Sequence, residues 1–419
     1  MRSVLRAVSF HGHTHGCGRE WKMSESRYDV IVVGARCAGS PTAMLLASKG
    51  YRILVVDRAV FPSDTLSTHL IHPPGVAALR RWGLLDRLVA TGCPPIHTYE
   101  FDFGSLVLPG APGTEAEPRA YAPRRTVLDK LLVDAAREAG AEVREGFTVT
   151  DLVRGDAGEV VGVRGREPGG PEVTERARVV LGADGLHSLV ARTVEAPRYN
   201  ENPKLMVGYY SYFSGLEMDG VFKAHSRPYR SFGAWPTHDG LTLVGGCWPF
   251  AEFNDIRQDI EGNYFKNFSL APAWEERIRD ARREDRIVGA ALPNFFRKPF
   301  GPGWALVGDA GYCKDFFTAQ GISDAFLSAD MCAGSLDDAL SGREPFDTAM
   351  AAYQAARDRH AQPVYDFTLQ VSTLEPLSPE FGKVLEGIDG NRHGMDAFAR
   401  VNAGVTSMAR FSADWGGTV

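Results

Sequence analysis

Hydrophobic and polar positions along the chain fall into three regimes. In the first, short unbroken apolar runs stop at glycine or at an acid. Val30 to Val33 is such a run, with no polar alternation, as expected for a strand buried on both faces of a parallel sheet. Ile53 to Val56, Val179 to Leu181 and Ala305 to Val307 repeat the pattern. Small residues and leucines between the first two predict a helix, broken at Gly50. In the second regime apolar and polar residues alternate and Tyr, Phe and Trp are frequent. Residues 96–110 and about 203–280 read this way, as antiparallel sheet. In the third, from about Ser323, "ISDAFLSADMCAGSLDDAL" and "FDTAMAAYQAARDRHAQPVYDFTLQV" predict helices. The stretch after about Gly390 shows no readable period. The fold class expected is α/β, with a separate sheet lobe and C-terminal helices.

Composition narrows the partners. The chain has 419 residues, 44% hydrophobic and 23% charged, enough for a sizeable core in two lobes. Its net charge of -6 argues against nucleic acid and against an anionic membrane surface. No apolar run approaches the roughly 18 residues of a membrane span. Six cysteines without a C-x-x-C pair suggest reduced thiols and a cytoplasmic protein. Residues 1–26 look foreign to the rest. His11, His13, His15 and Cys17 could hold a metal, but a disordered leader, or an upstream start ahead of Met23, is the stronger reading, and no metal site is assigned.

The chemistry concentrates where apolar runs end. After the first run comes Gly34-Ala-Arg-Cys-Ala-Gly39, then a helix, then a strand ending in Asp57 and Arg58. A helix start offers unpaired N–H groups and a positive dipole end to a pyrophosphate. The acid falls where a ribose hydroxyl is held. Arg36 replaces the middle glycine of G-x-G-x-x-G. The second marker is "RARVVLGADGLHSLVAR", with Asp184 after its strand. The third is "ALVGDAGYCKDFFTAQGISDAF", in which Asp309 stands at a strand mouth and Gly321 opens a helix.

These three markers, in this order, resemble the flavoprotein monooxygenases of the p-hydroxybenzoate hydroxylase type. The wider group includes geranylgeranyl reductases and flavin-dependent halogenases. The resemblance covers roughly Tyr28 to Glu375. It implies an FAD-binding Rossmann-like domain of the glutathione reductase type under an antiparallel β-sheet substrate lobe. The FAD-binding domain is expected at 27–95, 123–200 and 285–375, the lobe at 96–122 and 201–284, and a helical or tail segment at 376–419.

The resemblance also implies roles. Gly34, Arg36 and Gly39 would surround the FAD pyrophosphate, with Asp57 and Arg58 at the adenosine ribose. Arg125 would head a helix along the ribityl-phosphate arm. Asp184 would support the pyrophosphate region and nicotinamide binding. Asp309 would hold a ribityl hydroxyl, and the N–H groups at Gly321, Ile322 and Ser323 would face the flavin N1 edge. Relatives place a His and a Pro-Pro in the third loop. Here Tyr312 and Asp315-Phe316 stand there, so the reacting side departs from the hydroxylases, and Phe316 becomes a candidate wall beside the reacting carbon. Ser67, Thr68 and His69 would pass near the ring, with His69 suited to moving a phenol proton. Tyr210 and Tyr212, on one strand face, and Trp235 are candidates to meet an aromatic or hydrophobic substrate.

The expected reaction is monooxygenation. NADH or NADPH reduces FAD transiently, or a separate reductase supplies reduced flavin. O2 adds at the flavin C4a, and the terminal peroxide oxygen passes to the substrate. A geranylgeranyl reductase-like enzyme is the alternative, then a halogenase. Halogenases of this group carry Trp-x-Trp-x-Ile-Pro and a lysine after the glycine loop. No W-x-W occurs here, and Lys49 is the only lysine between Gly39 and Gly104. A non-catalytic flavin-binding module is the reading from another class.

Overall fold

The computed structural model describes residues 27–416. The expected leader and the cluster of His11, His13, His15 and Cys17 lie outside the described residues. From β1 (Tyr28–Val33) the chain enters α1 (Gly39–Ala47), returns in β2 (Ile53–Asp57), and runs through α2 (Pro73–Arg81) into β3 (Thr98–Asp102) and β4 (Val107–Gly110). It comes back through α3 (Arg125–Glu138), β5 (Glu142–Glu145) and β6 (Val173–Gly182). A second excursion builds β7 (Met206–Ser214), β8 (Val221–Arg227), β9 (Arg230–Pro236) and β10 (Thr242–Pro249). The chain returns in β11 (Trp304–Leu306). It ends in α4 (Gly321–Leu340), α5 (Phe346–Val371), α6 (Pro379–Ile388), α7 (Arg392–Asn402) and α8 (Met408–Trp415).

The first sheet runs β11-β6-β1-β2-β5, all neighbours parallel. The unbroken apolar runs fit this position. Val30, Ile31 and Val32 are fully buried because helices cover one face and further strands the other. Each such side chain contributes roughly 1.5–3 kcal/mol relative to exposure. Parallel pairing also sets the C-terminal ends of β1, β2, β6 and β11 along one edge, so Gly34, Asp57, Asp184 and Asp309 leave the sheet side by side.

The second sheet runs β7-β10-β9-β8-β3-β4 and is antiparallel except between β8 and β3. Its extent differs from the sequence expectation. Residues beyond Pro249 are largely helical, in Ile260–Phe268 and Pro272–Asp280. The aromatic content that suggested strand there has helical spacing: Tyr264 and Phe268, then Trp274 and Ile278, bury four residues apart against the sheet. The sheet also reaches past residue 284, because Val288–Ala290 pairs with β7. The unreadable stretch after Gly390 folds into α7 and α8. Phe398 and Phe411 pack there with Phe101 and Leu108 of the sheet, which supplies the partner that the local pattern lacked.

Candidate functional site

The three glycine turns interlock through backbone. Gly34 has φ +105°, and a Cβ there would stand 2.4 Å from the Ala183 carbonyl oxygen. A Cβ on Gly39 would stand 1.8 Å from the Gly34 carbonyl oxygen, and one on Gly308, at φ +61°, would stand 2.7 Å from Ala38 Cβ. Only glycine allows this approach. Asp57 ties two strand ends together, its Oδ2 accepting the Ala35 N–H at 2.7 Å and its Oδ1 the Ala59 N–H at 2.8 Å. Arg58 is exposed at the rim. Helix α1 begins with no side-chain cap and no acid in its first turn; Ser40 N–H donates to the Arg36 carbonyl at 3.1 Å and Pro41 has no N–H, so the Gly39 N–H is the one this turn leaves for an anion.

Arg36 tolerates the glycine position because its side chain leaves the turn. Its guanidinium pairs with the fully buried Asp129 of α3 and donates to Ser63 Oγ at 2.8 Å. Arg125, also buried, holds the same carboxylate at 2.9 Å. The two arginines thus share one acid, which fixes the start of α3 against the first turn. Asp184 Oδ2 accepts the Leu189 N–H at 2.6 Å, whereas its buried Oδ1 has no partner, and burial pushes this carboxyl above its ordinary value.

Asp309 accepts no hydrogen bond from the described residues. It is exposed, and it lines the large cavity between the two sheets. Crowding by protein pushes it up to about 6, moderated by Lys314, which itself pairs with Asp324 of α4. The start of α4 has no side-chain cap from Gln320, and Gly321 meets open space. Ile322 is buried. Ser323 Oγ accepts the His72 N–H at 3.1 Å and so anchors the segment leading into α2.

The cavity measures about 710 Å³. Asp309 and Phe316 to Ala319 form one wall. Tyr210 and Trp235 of the second sheet line it, as do Ser67 and Thr68. The Trp235 Nε1–H donates to the Thr68 carbonyl at 3.0 Å, and the Trp235 ring stacks on Phe222 at 5.1 Å. Phe316 lies flat against β7, where a Cβ on Gly208 would stand 2.5 Å from its ring. Next to it Asp315 is 1% exposed, and neither carboxylate oxygen reaches hydrogen-bonding geometry. Burial pushes it up to about 7, with the nearby Phe316 and Met206 N–H groups only moderating the shift.

His69 and Tyr212 stand behind the wall rather than in it. His69 has φ +62°, is fully buried, and its Nε2 meets the Tyr212 hydroxyl. Burial, then the charges of Arg125 and Arg124, hold its pKa well below the ordinary value, so it remains neutral. Arg124 covers the Tyr212 ring at 4.0 Å. Sequence reasoning missed Tyr99, Phe101 and Phe103, which line the cavity. Their alternation in "HTYEFDF" was the available signal. It also missed Phe381, Phe398 and the strap 373–378, which close the cavity from α5–α7 and carry no local signature. His72, inside the wall, accepts from or donates to Tyr99 Oη at 2.7 Å through Nδ1, while its Nε2 faces the Thr318 carbonyl at 2.9 Å. A carbonyl only accepts, so Nε2 carries the proton and Tyr99 donates to Nδ1.

Residues 27–216 match the family model described as the FAD binding domain. The chain's FAD-binding domain therefore contains the first two glycine turns. Beyond that segment the chain is similar to FAD-dependent halogenases, reductases and monooxygenases. The chain is 24% identical to a tryptophan 2-halogenase of Chondromyces crocatus over 79% of its own length, but spans only 65% of that relative. It is 26% identical to digeranylgeranylglycerophospholipid reductase 1 of Methanopyrus kandleri, covering 83% of this chain and 91% of the relative. It is 25% identical to a rifampicin monooxygenase of Streptomyces venezuelae, covering 83% and 72%. In fold it is similar to a myxobacterial chondrochloren halogenase, with TM-score 0.77 at 21% identity over 91% of this chain and 99% of that one.

Proposed function

We propose that the chain is an FAD-dependent monooxygenase, reduced by NADH or NADPH, that hydroxylates or epoxidises an aromatic or hydrophobic small molecule. The observation that carries this reading is the shared wall. The loop that begins with Asp309 is also one side of the aromatic cavity. A cofactor held by Asp309 and the start of α4 would thus meet whatever the aromatic residues hold.

The residues fit FAD in chemistry. Gly34, Gly39 and the uncapped start of α1 suit a pyrophosphate. Asp57 retains acceptor capacity for a ribose hydroxyl. The orphaned Asp184 Oδ1 and the unpartnered Asp309 carboxylate suit hydroxyl donors. Arg125 would lie along the phosphate arm, and Arg36 would act through Asp129 rather than by direct contact. The N–H groups at Gly321, Ile322 and Ser323 would face developing negative charge on the ring. When bound, FAD supplies hydride acceptance and activation of O2.

The chain's own residues do the rest. Trp235, Phe222 and Phe316 exclude water and orient a planar substrate. Tyr210 accepts the Ser67 N–H at 3.2 Å and offers its phenol proton to the cavity. Burial raises its pKa, so it works as a neutral donor. His69 positions Tyr212 behind it. A second reading, reduction of an isoprenoid, is favoured by one observation: the match spans 91% of the reductase relative.

The test is product analysis under 18O2 with NADH and NADPH. Label in the product, with one nicotinamide oxidised per product formed, is the expected result. Two added hydrogens without oxygen would give the reductase reading instead. Purified protein that binds no flavin would remove both.

A further inference from the structure

A second cavity, of about 370 Å³, shares no lining residue with the aromatic one. Arg192, Arg198 and Arg297 line it, with Glu195 and Glu201. Arg297 is the unusual member. It is 4% exposed and has no carboxylate within ion-pair distance among the described residues. Its Nη1 donates to the Ala310 carbonyl at 2.7 Å, and its other side-chain donors have no protein acceptor there. A buried guanidinium without a counter-charge is costly. Its neighbours pull both ways: Arg198 and Arg192 repel it, while Cys313 and the Asp184 carboxylate offset part of that repulsion from beyond ion-pair distance. Arg198 and Arg297 lie over the same Phe295 ring, at 4.4 and 4.5 Å. Burial, then the Arg198 charge, hold Arg297 below the ordinary guanidinium value, and Arg192 adds to the repulsion. Arg198 meets Glu201 at 3.4 Å, and Arg192 donates to the His187 carbonyl. Arg297 therefore has no directly paired carboxylate among the described residues.

We propose that this cavity binds a phosphoryl group, either the phosphate monoester of a diffusible nucleotide or free phosphate. Three guanidinium groups lining one depression suit a compact dianion with several acceptor oxygens better than a carboxylate, which one fork would satisfy. The two glutamates at the rim disfavour an extended polyanion. The site also touches the cofactor side, because Arg297 grips the carbonyl of Ala310, one residue beyond Asp309. The proposal goes beyond the monooxygenase reading and does not rest on it.

The test is calorimetric titration of the full chain at low ionic strength with inorganic phosphate, NADP+ and NAD+. The double variant Arg192→Ala/Arg198→Ala is the main comparison, since both side chains are exposed. Arg297→Gln is the sharper variant, but its buried bond to Ala310 also serves the fold. Saturable phosphate binding that weakens about tenfold or more in the double variant is expected. If NADP+ binds about tenfold tighter than NAD+ and that preference vanishes in the double variant, the source is a nucleotide monoester. If phosphate binds and the two nucleotides are equal, the source is free phosphate. Absence of saturable binding by phosphate and NADP+, or unchanged binding in the double variant, overturns the proposal.

Discussion

At Gly34 and Gly39 the chain is packed backbone against backbone, and a side chain at either position would have to move a strand end. Around the aromatic cavity the opposite holds. There the walls are side chains of Tyr99, Phe222 and Trp235 mounted on a sheet, and a change of side chain leaves the backbone where it is. One half of the site has a shape set by main chain, and therefore by which positions are glycine. The other half has a shape set by choice of residue. Substitutions in the first half should abolish function through the fold, and those in the second should retune it.

Gly39→Ala is the strongest way to break this contrast. Its Cβ would stand 1.8 Å from a carbonyl oxygen, so the variant should lose flavin and more than about 3 kcal/mol of stability. Visible flavin absorbance per chain and urea unfolding read this out; a yellow, equally stable variant would refute the backbone-packed turn. Asp309→Ala should fold and weaken FAD binding roughly ten- to a hundredfold, seen by fluorescence titration. Unchanged affinity would move the sugar-alcohol contact elsewhere.

Asp315 lies on the border between the halves. Its carboxyl is pushed up to about 7, so the folded chain keeps a proton that the unfolded chain releases near pH 4. The residue's stability contribution is therefore intact below about pH 4 and is lost as pH rises towards about 7. Asp315→Asn should gain on the order of 4 kcal/mol over the parent at about pH 8 relative to about pH 4. Parallel urea midpoints for the two chains across that range would count against it. Phe316→Ala should keep FAD but release severalfold more hydrogen peroxide per NAD(P)H oxidised; unchanged coupling would reduce Phe316 to packing against Gly208. The mildest expected change is Trp235→Phe, with KM raised a few-fold and kcat held within about twofold. A fall in kcat alone would mean that Trp235 orients rather than merely encloses.

The same contrast explains what was legible in sequence. Val30 to Val33, Gly34, Gly39, Asp57 and Asp309 could be read because a parallel strand buried on both faces and a turn with a forbidden Cβ leave fixed residue types at fixed offsets. His69 lies behind the cavity wall, because a positive φ turns its side chain towards Tyr212, which proximity in chain to Ser67 and Thr68 does not reveal. The aromatics of 250–280 suggested strand from composition, while their spacing of four was helical. Phe381 and Phe398 were invisible for another reason. Their helices come from the far end of the chain, and nothing local records that they close a cavity begun at Tyr99.

Gly208 has a consequence beyond making room for Phe316. Because that strand position has no side chain, only the Phe316 ring stands between the loop that begins at Asp309 and the main chain of the second sheet. Side chains act as shock absorbers between packed elements, since they can change rotamer without passing a displacement onward. Here that cushion is reduced to one rigid ring. A substrate that shifts β7 by a few tenths of an ångström should displace Phe316 and, with it, the loop running back to Asp309. On the proposed reading the two halves of the site would be geared together at one contact, and occupancy on the aromatic side would become a signal on the cofactor side.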